Sequence, residues 1–419
     1  MSLSRKLSYK EVDFSNKRVF LRVDFNVPLD KETREITNTQ RIEEALPTIR
    51  HILRSDFHCL LLASHLGRPN GNVNPELSLR PVAAVLQRLL SINIVFLEDC
   101  VGAEVLGAVN AAPVGTVFLL ENLRFHPQEE GSFLDENKKR MKCCAESVAN
   151  FRTQLGELCD VYVNDAFGTA HRPHSSMVGF TCEVRAAGAL LTKELTYFSK
   201  ALENPDKPFL SILGGAKVED KIQLILNLLD RVDEMLIGGG MAFTFEKVLN
   251  NMEIGGSLFD QKGAALISKI MSKAAERGVK IHLPVDYVTG EEFSPDTATK
   301  VVTRSEGISK GLGLDIGPKS VELFQGVISR ANIIVWNGPM GVFEMEKFAG
   351  GTRGVLEAVE LATQSGCTSI IGGGDTATCV SKFSSPLKFS HISTGGGASL
   401  ELLEGKQLPG VAALSDRIQ

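Results

Sequence analysis

The chain has 419 residues with 45 basic and 50 acidic side chains, which give a formal net charge of −5. This length favours two globular domains. The balanced charge argues against a nucleic-acid partner, because proteins that bind nucleic acids concentrate basic residues. No apolar run reaches the roughly 18 residues that a membrane span needs, so we expect no membrane partner either.

Eight cysteines are scattered along the chain. None forms a C-x-x-C pair, so their spacing argues against a zinc site. No secretory leader is recognisable, and we therefore interpret the eight cysteines as reduced thiols of an intracellular protein. The last residues, Arg417, Ile418 and Gln419, do not form a peroxisomal address, which favours the cytoplasm.

Short apolar runs recur along the chain, separated by amphipathic stretches of helix length. In the first half they are RVFLRV (18–23), CLLLAS (59–64), NIVFLE (93–98), GTVFLL (115–120) and DVYVN (160–164). In the second half they are FLSIL (209–213), MLIGG (235–239), VKIHLPV (279–285), NIIVW (332–336), TSIIGG (368–373) and FSHIST (389–394). Strands that alternate with helices predict an α/β fold of doubly wound parallel sheets.

The stretch EVRAAGALLTKELTYFSKALENPDKP (183–208) lies between the two sets of strands. Its apolar residues follow helical spacing, and prolines end the pattern. We therefore predict a connecting helix and hinge at 185–208, between an N-terminal domain at 1–184 and a C-terminal domain at 209–404.

The strand ends of the first half carry charged and polar side chains. Ligands of doubly wound sheets lie beyond the carboxyl ends of the strands. The side chains found there are Asp24, Asn26, His65, Arg68, Arg124, His171 and Arg172. Guanidinium groups suit carboxylate and phosphate oxygens, so this half predicts an anion site. Each arginine could instead form a surface salt bridge, and both histidines could be structural; Arg41, in ITNTQRIEEALP, could simply belong to the first turn of a helix.

The strand ends of the second half are rich in glycine, as expected for a nucleotide polyphosphate. These loops are 214–217, 238–240, 337–341, 372–375 and 395–397. Lys217 and Lys221 would share a face if a helix started near Ala216, and a polyanion could lie between them; the alternative is a solvated face. An anion site on one half and a nucleotide site on the other predict a phosphoryl-transfer enzyme.

One acid, Asp375, lies within the glycine-rich stretch IIGGGDTAT (370–378). It would repel a phosphate unless a cation lay between them, and Mg²⁺ takes one or two carboxylates together with phosphate oxygens. The alternative is that Asp375 is the N-cap of a helix. The stretch STGGGAS (393–399) has no acid and could face the transferring phosphoryl group directly.

Two familiar nucleotide motifs are absent. GPKS (317–320) has Pro318 where a P-loop requires glycine, and GLGLDIG (311–317) lacks the spacing of a dinucleotide fingerprint. This absence argues against a two-domain dehydrogenase. A non-catalytic nucleotide-binding protein is the other alternative, and the presence of Arg41, Lys217 and Asp375 argues against it.

Nine motifs resemble those of the phosphoglycerate kinase family and follow one another along nearly the whole chain. They are VDFNVP (23–28), SHLGRP (64–69), LLENLRF (119–125), NDAFGTAHR (164–172), LGGAKVEDK (213–221), GGGMAFTF (238–245), WNGPMGVFE (336–344), GGGDTAT (372–378) and STGGGAS (393–399). The family pattern departs at Lys319, where many members carry an acid.

The resemblance implies the glycolytic and gluconeogenic reaction 1,3-bisphosphoglycerate + ADP = 3-phosphoglycerate + ATP, with Mg²⁺ accompanying the nucleotide. It implies a monomer of two Rossmann-like domains that face each other across a hinged cleft. It also implies that a tail at 405–419 packs back on the N-terminal domain.

The resemblance further assigns the site residues. The glycerate site is expected to comprise Asp24, Asn26, Arg41, His65, Arg68, Arg124, His171 and Arg172. The nucleotide site is expected to comprise Gly215, Ala216, Lys217, Lys221, Gly239, Leu314, Asn337, Gly338, Pro339, Met340, Val342, Phe343, Glu344, Asp375 and Thr376. We expect Arg41, Lys217, Gly373 and Gly396 to act in catalysis and Asp375 to hold the metal.

Overall fold

The computed structural model describes residues 2–417. The described chain divides into two compact units, unit 1 within Met1–Thr196 and Gln407–Gln419 and unit 2 within Tyr197–Lys406. Each unit contains one six-stranded parallel sheet. The predicted α/β class with two doubly wound sheets is confirmed.

Unit 1 contains eight strands. They are β1 Arg18–Arg22, β2 Cys59–Ala63, β3 Val95–Leu97, β4 Thr116–Leu120, β5 Ser132–Leu134, β6 Arg140–Lys142, β7 Val161–Asn164 and β8 Val184–Ala187. Six form the parallel sheet in the order β3-β4-β2-β1-β7-β8, and β5 pairs with β6 as a separate antiparallel hairpin. Strands β4, β2, β1 and β7 are consecutive neighbours in this sheet. Because they run parallel, their carboxyl ends lie side by side.

The helices of unit 1 cover the sheet. They are α1 Gln40–Leu53, α2 Arg80–Leu90, α3 Ala103–Asn110, α4 Pro127–Glu130, α5 Ala145–Glu157 and α6 Ser175–Val178. The central strand β2 is buried along its whole length, which explains its unbroken apolar sequence. Leu60 and Leu62 of β2 belong to the same core cluster as Ile49 of α1 and Leu86 of α2.

The connecting helix, α7 Ala189–Leu202, is shorter than predicted. The prediction of helix from residue 185 is wrong at its start, because Val184–Ala187 is strand β8. This segment pairs in parallel with β7 at the edge of the sheet, and Ala186 and Ala187 are buried there. The boundary between the two units falls inside α7, after Thr196.

Unit 2 contains nine strands. They are β9 Phe209–Leu213, β10 Glu234–Ile237, β11 Lys280–His282, β12 Asp286–Gly290, β13 Thr299–Thr303, β14 Leu312–Ile316, β15 Ile333–Asn337, β16 Thr368–Gly372 and β17 His391–Ile392. The parallel sheet has the order β11-β10-β9-β15-β16-β17, and β12 lies between β13 and β14 in a small antiparallel sheet. The small sheet was not predicted.

The helices of unit 2 are α8 Ile222–Leu228, α9 Met241–Asn250, α10 Gln261–Arg277, α11 Pro318–Ile328, α12 Gly350–Gln364, α13 Gly374–Phe383 and α14 Gly397–Leu403. Ile334 and Trp336 of β15 pack with Phe324 of α11 and Val359 of α12 in one buried cluster. Trp336 is the only tryptophan of the sequence and is fully buried.

The segment that follows unit 2 belongs to unit 1. Helix α15 Pro409–Ala412 begins it, and the Gly410 amide donates to the Ala170 carbonyl at 2.9 Å. Lys6 Nζ pairs with Asp416 at 3.0 Å. Residues 418 and 419, which the expected tail at 405–419 includes, lie outside the described residues.

No helix within residues 2–417 combines the length and the apolar character that crossing a membrane requires.

Candidate active site

The strand ends of unit 1 bring Arg41 and Asp24 together. Arg41 lies in the first turn of α1, and its Nη1 is 2.6 Å from Asp24 Oδ2 in the loop after β1. The arginine side chain remains 45% exposed, whereas that of Asp24 is 14% exposed. Arg41 is therefore both a helix residue and a cation held at the strand ends by one carboxylate.

The neighbouring loops are tied together by side chains that accept or donate to backbone. Asn26 Oδ1 accepts from the Gly67 amide at 2.9 Å. Arg124 Nη1 donates to the Gly67 carbonyl at 2.9 Å, and its Nε is 3.2 Å from Glu130 Oε1. The loops after β1, β2 and β4 are thus held in one arrangement, with the guanidinium of Arg124 largely buried among them.

His65, directly after β2, is buried and neutral. Burial lowers its pKa well below the ordinary value, and the charges of Arg22, Arg124, His174 and Arg41 lower it further. Its Nδ1 lies 3.3 Å from Arg22 Nη2, so Nδ1 accepts from the guanidinium and the ring proton is on Nε2. His65 is therefore a neutral N–H donor surrounded by cations.

A buried network behind this site was not predicted. Arg22, in the middle of the sheet, donates from Nε to Ser176 Oγ at 2.9 Å, and Ser176 Oγ donates to Glu129 Oε1 at 2.6 Å. Burial lowers the pKa of His174 to about 3, with further contributions from Arg124, Arg22, Arg172 and His171. The only sequence signal was a second histidine in HRPHSS (171–176).

The influence of neighbouring charges on the pKa values of His65 and His174 shows which expected residues lie near one another. Arg41 and Arg124 both act on His65, while Arg124, Arg172 and His171 all act on His174. The structure thus gathers most of the predicted side chains in one region, where the charges of the arginines lower the pKa of both His65 and His174. Arg68 and Arg172 are exposed, and within residues 2–417 neither guanidinium forms a hydrogen bond or ion pair.

In unit 2, the loops after β9, β10 and β15 pack backbone against backbone. A Cβ on Gly214 would lie 1.9 Å from the Pro339 carbonyl oxygen, and one on Gly338 would lie 2.5 Å from the Gly214 carbonyl oxygen. A Cβ on Gly239 would lie 2.6 Å from the Gly215 nitrogen. Glycine is required here because any side chain would push the loops apart.

These loops border a cavity of about 600 Å³, a volume typical of small-molecule sites. Nine expected residues line it: Gly215, Ala216, Gly239, Leu314, Pro339, Met340, Val342, Glu344 and Asp375. Its apolar wall was not predicted and includes Phe243, Leu258, Phe293 and Leu312. Leu258 and Phe293 are exposed apolar side chains, which sequence patterns do not distinguish from ordinary surface residues.

Other expected residues that do not line the cavity hold the loop after β15 through hydrogen bonds. Lys221 Nζ donates to the Asn337 carbonyl at 3.3 Å and also to Asn337 Oδ1. Burial lowers the pKa of Lys221 to about 8, although the charges of Asp375 and Asp220 oppose this effect. Thr376 Oγ1 accepts from the Gly338 amide at 2.8 Å.

Phe343 and Lys319 do not line the cavity. Phe343 belongs to a small buried cluster with Ala349 and Cys379. Its ring meets that of Phe383 edge to face, with the two ring centroids 6.4 Å apart. Lys319 lies in the first turn of α11. The departure from the family pattern at Lys319 is therefore outside the cavity.

The prediction that Lys217 and Lys221 share one face of a helix is wrong. The chain first becomes helical at Glu219, in a single 3-10 turn before α8, so Lys217 belongs to the loop. Gly215, with φ of +114°, extends the backbone away from helix at this point. Lys217 is exposed whereas Lys221 is mostly enclosed, and the two ammonium groups have different surroundings.

Asp375 is not a helix N-cap. The N-cap of α13 is Gly373, whose φ is +89°, and Asp375 is the second helical residue. Its carboxylate borders the cavity, and within residues 2–417 it accepts no hydrogen bond and forms no ion pair. One exposed carboxylate fits Mg²⁺, which binds proteins through one or two carboxylates and keeps its other positions for water and phosphate.

The loop after β17 also ends at the start of a helix. Gly396 is the N-cap of α14, with φ of +49°, and both Gly396 and Gly397 are exposed. Backbone amides at such a helix start suit an anion. Gly373 and Gly396 are thus the N-cap residues of the helices that follow β16 and β17.

The model of the family described as phosphoglycerate kinase matches residues 9–406. The chain belongs to the phosphoglycerate kinase family. The phosphoglycerate kinases of Eremothecium gossypii and Saccharomyces cerevisiae are 60% and 59% identical to it over 418 residues, which cover 100% of both chains in each comparison. The solved phosphoglycerate kinase from Coxiella burnetii has a TM-score of 0.87 and 38% identity, over 97% of this chain and 98% of that chain.

Family membership confirms that the chain is a kinase, a transferase of glycolytic phosphoryl transfer. The dehydrogenase alternative fails, and the non-catalytic alternative is not favoured. The cavity beside the glycine-rich loops suits the nucleotide on which such a kinase depends.

Proposed function

We propose that unit 1 binds the glycerate and unit 2 binds the nucleotide in the reaction 1,3-bisphosphoglycerate + ADP = 3-phosphoglycerate + ATP. The observation that carries this assignment is the contrast between the two sets of strand ends. Unit 1 presents arginines around a neutral histidine, and unit 2 presents a glycine-lined cavity with an apolar wall.

In unit 1, the proposed glycerate ligands are the two unpaired arginines, Arg68 and Arg172, together with Arg124. 3-Phosphoglycerate carries a phosphate and a carboxylate, and guanidinium groups bind both through paired hydrogen bonds. His65 would donate from Nε2 without adding charge. Asp24, Asn26 and His171 complete the proposed site.

In unit 2, the apolar wall would contact the base, and Glu344 would accept from the ribose hydroxyls. Lys217 is exposed and directly follows Ala216, which lines the cavity, and it would bind the phosphates directly. Lys221 and Asn337 hold the loop behind them. Asp375 would hold Mg²⁺, which neutralises charge on the nucleotide phosphates when it is bound.

Phosphoryl transfer is proposed to be direct and in line, without a covalent enzyme intermediate. Arg41 and Lys217 would stabilise charge on the transferring group, assisted by amides at Gly373 and Gly396. A unit charge about 4 Å away contributes up to roughly 4 kcal/mol at an effective dielectric near 20. Closure of the two units about the connecting segment that contains α7 would exclude water from the acyl phosphate.

The proposal includes a cytoplasmic monomer. The family resemblance motivates the monomer, and the absence of disulfides among the eight cysteines agrees with the cytoplasm. Sedimentation at several protein concentrations should give the mass of one chain; a mass that rises to that of two chains would contradict the monomer.

The decisive experiment is a coupled assay of ATP-dependent phosphorylation of 3-phosphoglycerate, with Mg²⁺ and with chelator. We expect turnover only with the metal. If both ligands bind by calorimetry but no turnover occurs, the chain is a non-catalytic member of the family and the proposed reaction is wrong.

A further inference from the structure

Three metal-ligating side chains of unit 1 lie together outside the proposed glycerate site. Asp99 and Cys100 follow β3, and His126 follows the 3-10 turn after β4. Strands β3 and β4 are hydrogen-bonded neighbours, so their carboxyl ends adjoin. One ligand atom from each of these three residues lies within 4.8 Å of the other two, and His126 Nε2 is 2.6 Å from Asp99 Oδ1.

We propose that Asp99, Cys100 and His126 form a site for a divalent ion of the Zn²⁺ type. A thiolate, an imidazole and a carboxylate are ligands that Zn²⁺ accepts in one tetrahedral shell. Mg²⁺ prefers six oxygen ligands, so this donor set excludes the ion that Asp375 is proposed to hold. None of these three ligands belongs to the proposed glycerate or nucleotide site, and their chemistry differs from that of the proposed Mg²⁺ ligand.

The site is open on one side. Asp99 and His126 line a cavity of about 780 Å³, while Cys100 is fully buried behind them. Two further carboxylates line this cavity but are already occupied. Glu121 accepts from the Ser78 hydroxyl at 2.6 Å and from a backbone amide, and Glu98 pairs with Arg80. Three protein ligands with water in the fourth position are therefore expected.

Binding requires a modest rearrangement. Metal–ligand bonds of about 2.0–2.3 Å place tetrahedral ligand atoms roughly 3.5 Å apart. The hydrogen bond between His126 and Asp99 would open by about 1 Å, and the thiol would approach the ion. Because the thiolate is the ligand, the Cys100 S–H bond breaks, the sulfur binds the ion, and the proton passes to water.

The cysteine spacing did not predict this site, because a single cysteine contributes and the histidine is 26 residues further along the chain. The pairing of β3 with β4 supplies the proximity. The same chain contains a matched pair without a thiol, since His282 Nε2 lies 2.6 Å from Glu234 Oε2 in unit 2. Comparison with that pair shows how much of the Zn²⁺ binding depends on Cys100 and how much an ordinary histidine–carboxylate contact provides.

The experiment titrates the full-length, chelator-treated protein with Zn²⁺ against a chromogenic chelator, and with Co²⁺ by absorption spectroscopy. We expect one Zn²⁺ per chain and a cobalt–thiolate charge-transfer band. Cys100→Ser should remove that band, and both Cys100→Ser and His126→Gln should weaken Zn²⁺ binding by about tenfold or more. His282→Gln and Cys144→Ser, at an exposed cysteine, should change neither.

Circular dichroism establishes that each variant is folded, and His126→Gln keeps the test valid if the buried Cys100→Ser variant does not fold. Failure to bind Zn²⁺ at one equivalent would overturn the proposal. So would unchanged affinity in His126→Gln, or a loss of the cobalt band in Cys144→Ser. Equal competition by millimolar Mg²⁺ would also overturn it, because the donor set disfavours that ion.

Discussion

Arg41 is the residue for which position and partner together make the sharpest kinetic prediction. Asp24 holds it at the strand ends while nearly half of its side chain stays exposed. Arg41→Ala should lower kcat by about 10³-fold or more, because arginines that stabilise a transferring phosphoryl group contribute 10³ to 10⁵ in rate. The Kd of 3-phosphoglycerate should change much less.

Steady-state kinetics and calorimetry measure the two effects separately. Arg34→Ala is the control, since Arg34 is an exposed arginine of unit 1 that forms an ion pair with Glu76 on the surface. A variant of Arg41 that loses affinity but keeps its turnover would refute the catalytic role.

The free carboxylate of Asp375 makes a second prediction at this scale. Asp375→Ala should weaken the binding of ATP with Mg²⁺ and leave the binding of metal-free ATP unchanged or slightly stronger, because a negative charge beside the phosphates is removed. Calorimetry with and without the metal measures both. Asp296→Ala, at an exposed aspartate outside the cavity lining, is the control; equal losses under both conditions would contradict metal binding by Asp375.

Asp315 makes the stability of unit 2 depend on pH. It is buried beside the nucleotide cavity and accepts from the Gly351 amide at 2.7 Å, and burial raises its pKa to about 7. The folded state therefore binds a proton more tightly than the unfolded state. This contribution to stability is complete below about pH 4 and is lost as the pH rises through about 7.

The fluorescence of Trp336 follows unfolding of unit 2 in urea. The free energy of unfolding of the wild type, minus that of Asp315→Asn, should fall between pH 5 and pH 8. The corresponding difference for Asp296→Asn should stay flat. A difference for Asp315→Asn that rises with pH would show that the carboxylate is stabilised in its charged form.

At the scale of elements, the contact between the loops after β9 and β15 sets the shape of the cavity. Gly214→Ala would place a methyl group 1.9 Å from the Pro339 carbonyl oxygen. We expect a loss of roughly 1–3 kcal/mol in the stability of unit 2 and a clear loss of ADP affinity, because the loop must move. Urea unfolding and ADP titration measure these effects.

Gly326→Ala is the matched control. Gly326 is exposed in α11, and an added Cβ would have no neighbour within 4 Å. Alanine in a helix is favoured over glycine by about 0.5–1 kcal/mol, so this variant should be slightly more stable and should bind ADP normally. Tolerance of Gly214→Ala in both assays would show that the loops are not rigid.

Most strands of the two parallel sheets could be predicted because their sequences are apolar runs, as in the fully buried β2. Strand β8 could not, because its short sequence VRAA does not stand apart from the helical pattern of α7 that follows it. Strands β12 to β14 could not, since they form a small antiparallel sheet with exposed positions such as Val301. Reading the residues that follow each predicted strand placed His65 beyond β2 and Asp375 beyond β16, and the structure has both residues at those strand ends; their roles are part of the proposed function. Pairing between distant segments, as in Arg22 with Ser176, leaves no local pattern and was therefore missed.

At the scale of the whole molecule, we predict that the two units close over both substrates. X-ray scattering should show a smaller radius of gyration when 3-phosphoglycerate and a non-hydrolysable ATP analogue with Mg²⁺ are both present. Each ligand alone is the control and should have a smaller effect. An unchanged radius with both ligands bound at saturation would count against closure.

The return of the chain to unit 1 has a consequence for its synthesis on the ribosome. Unit 2 is complete once Lys406 has been added, but unit 1 still lacks Ser415, whose carbonyl accepts from the Leu7 amide at 2.9 Å, and Asp416, which pairs with Lys6. The segment around Lys6 and Leu7 therefore lacks these partners while the nascent chain grows by some 400 residues, because they emerge only after all of unit 2.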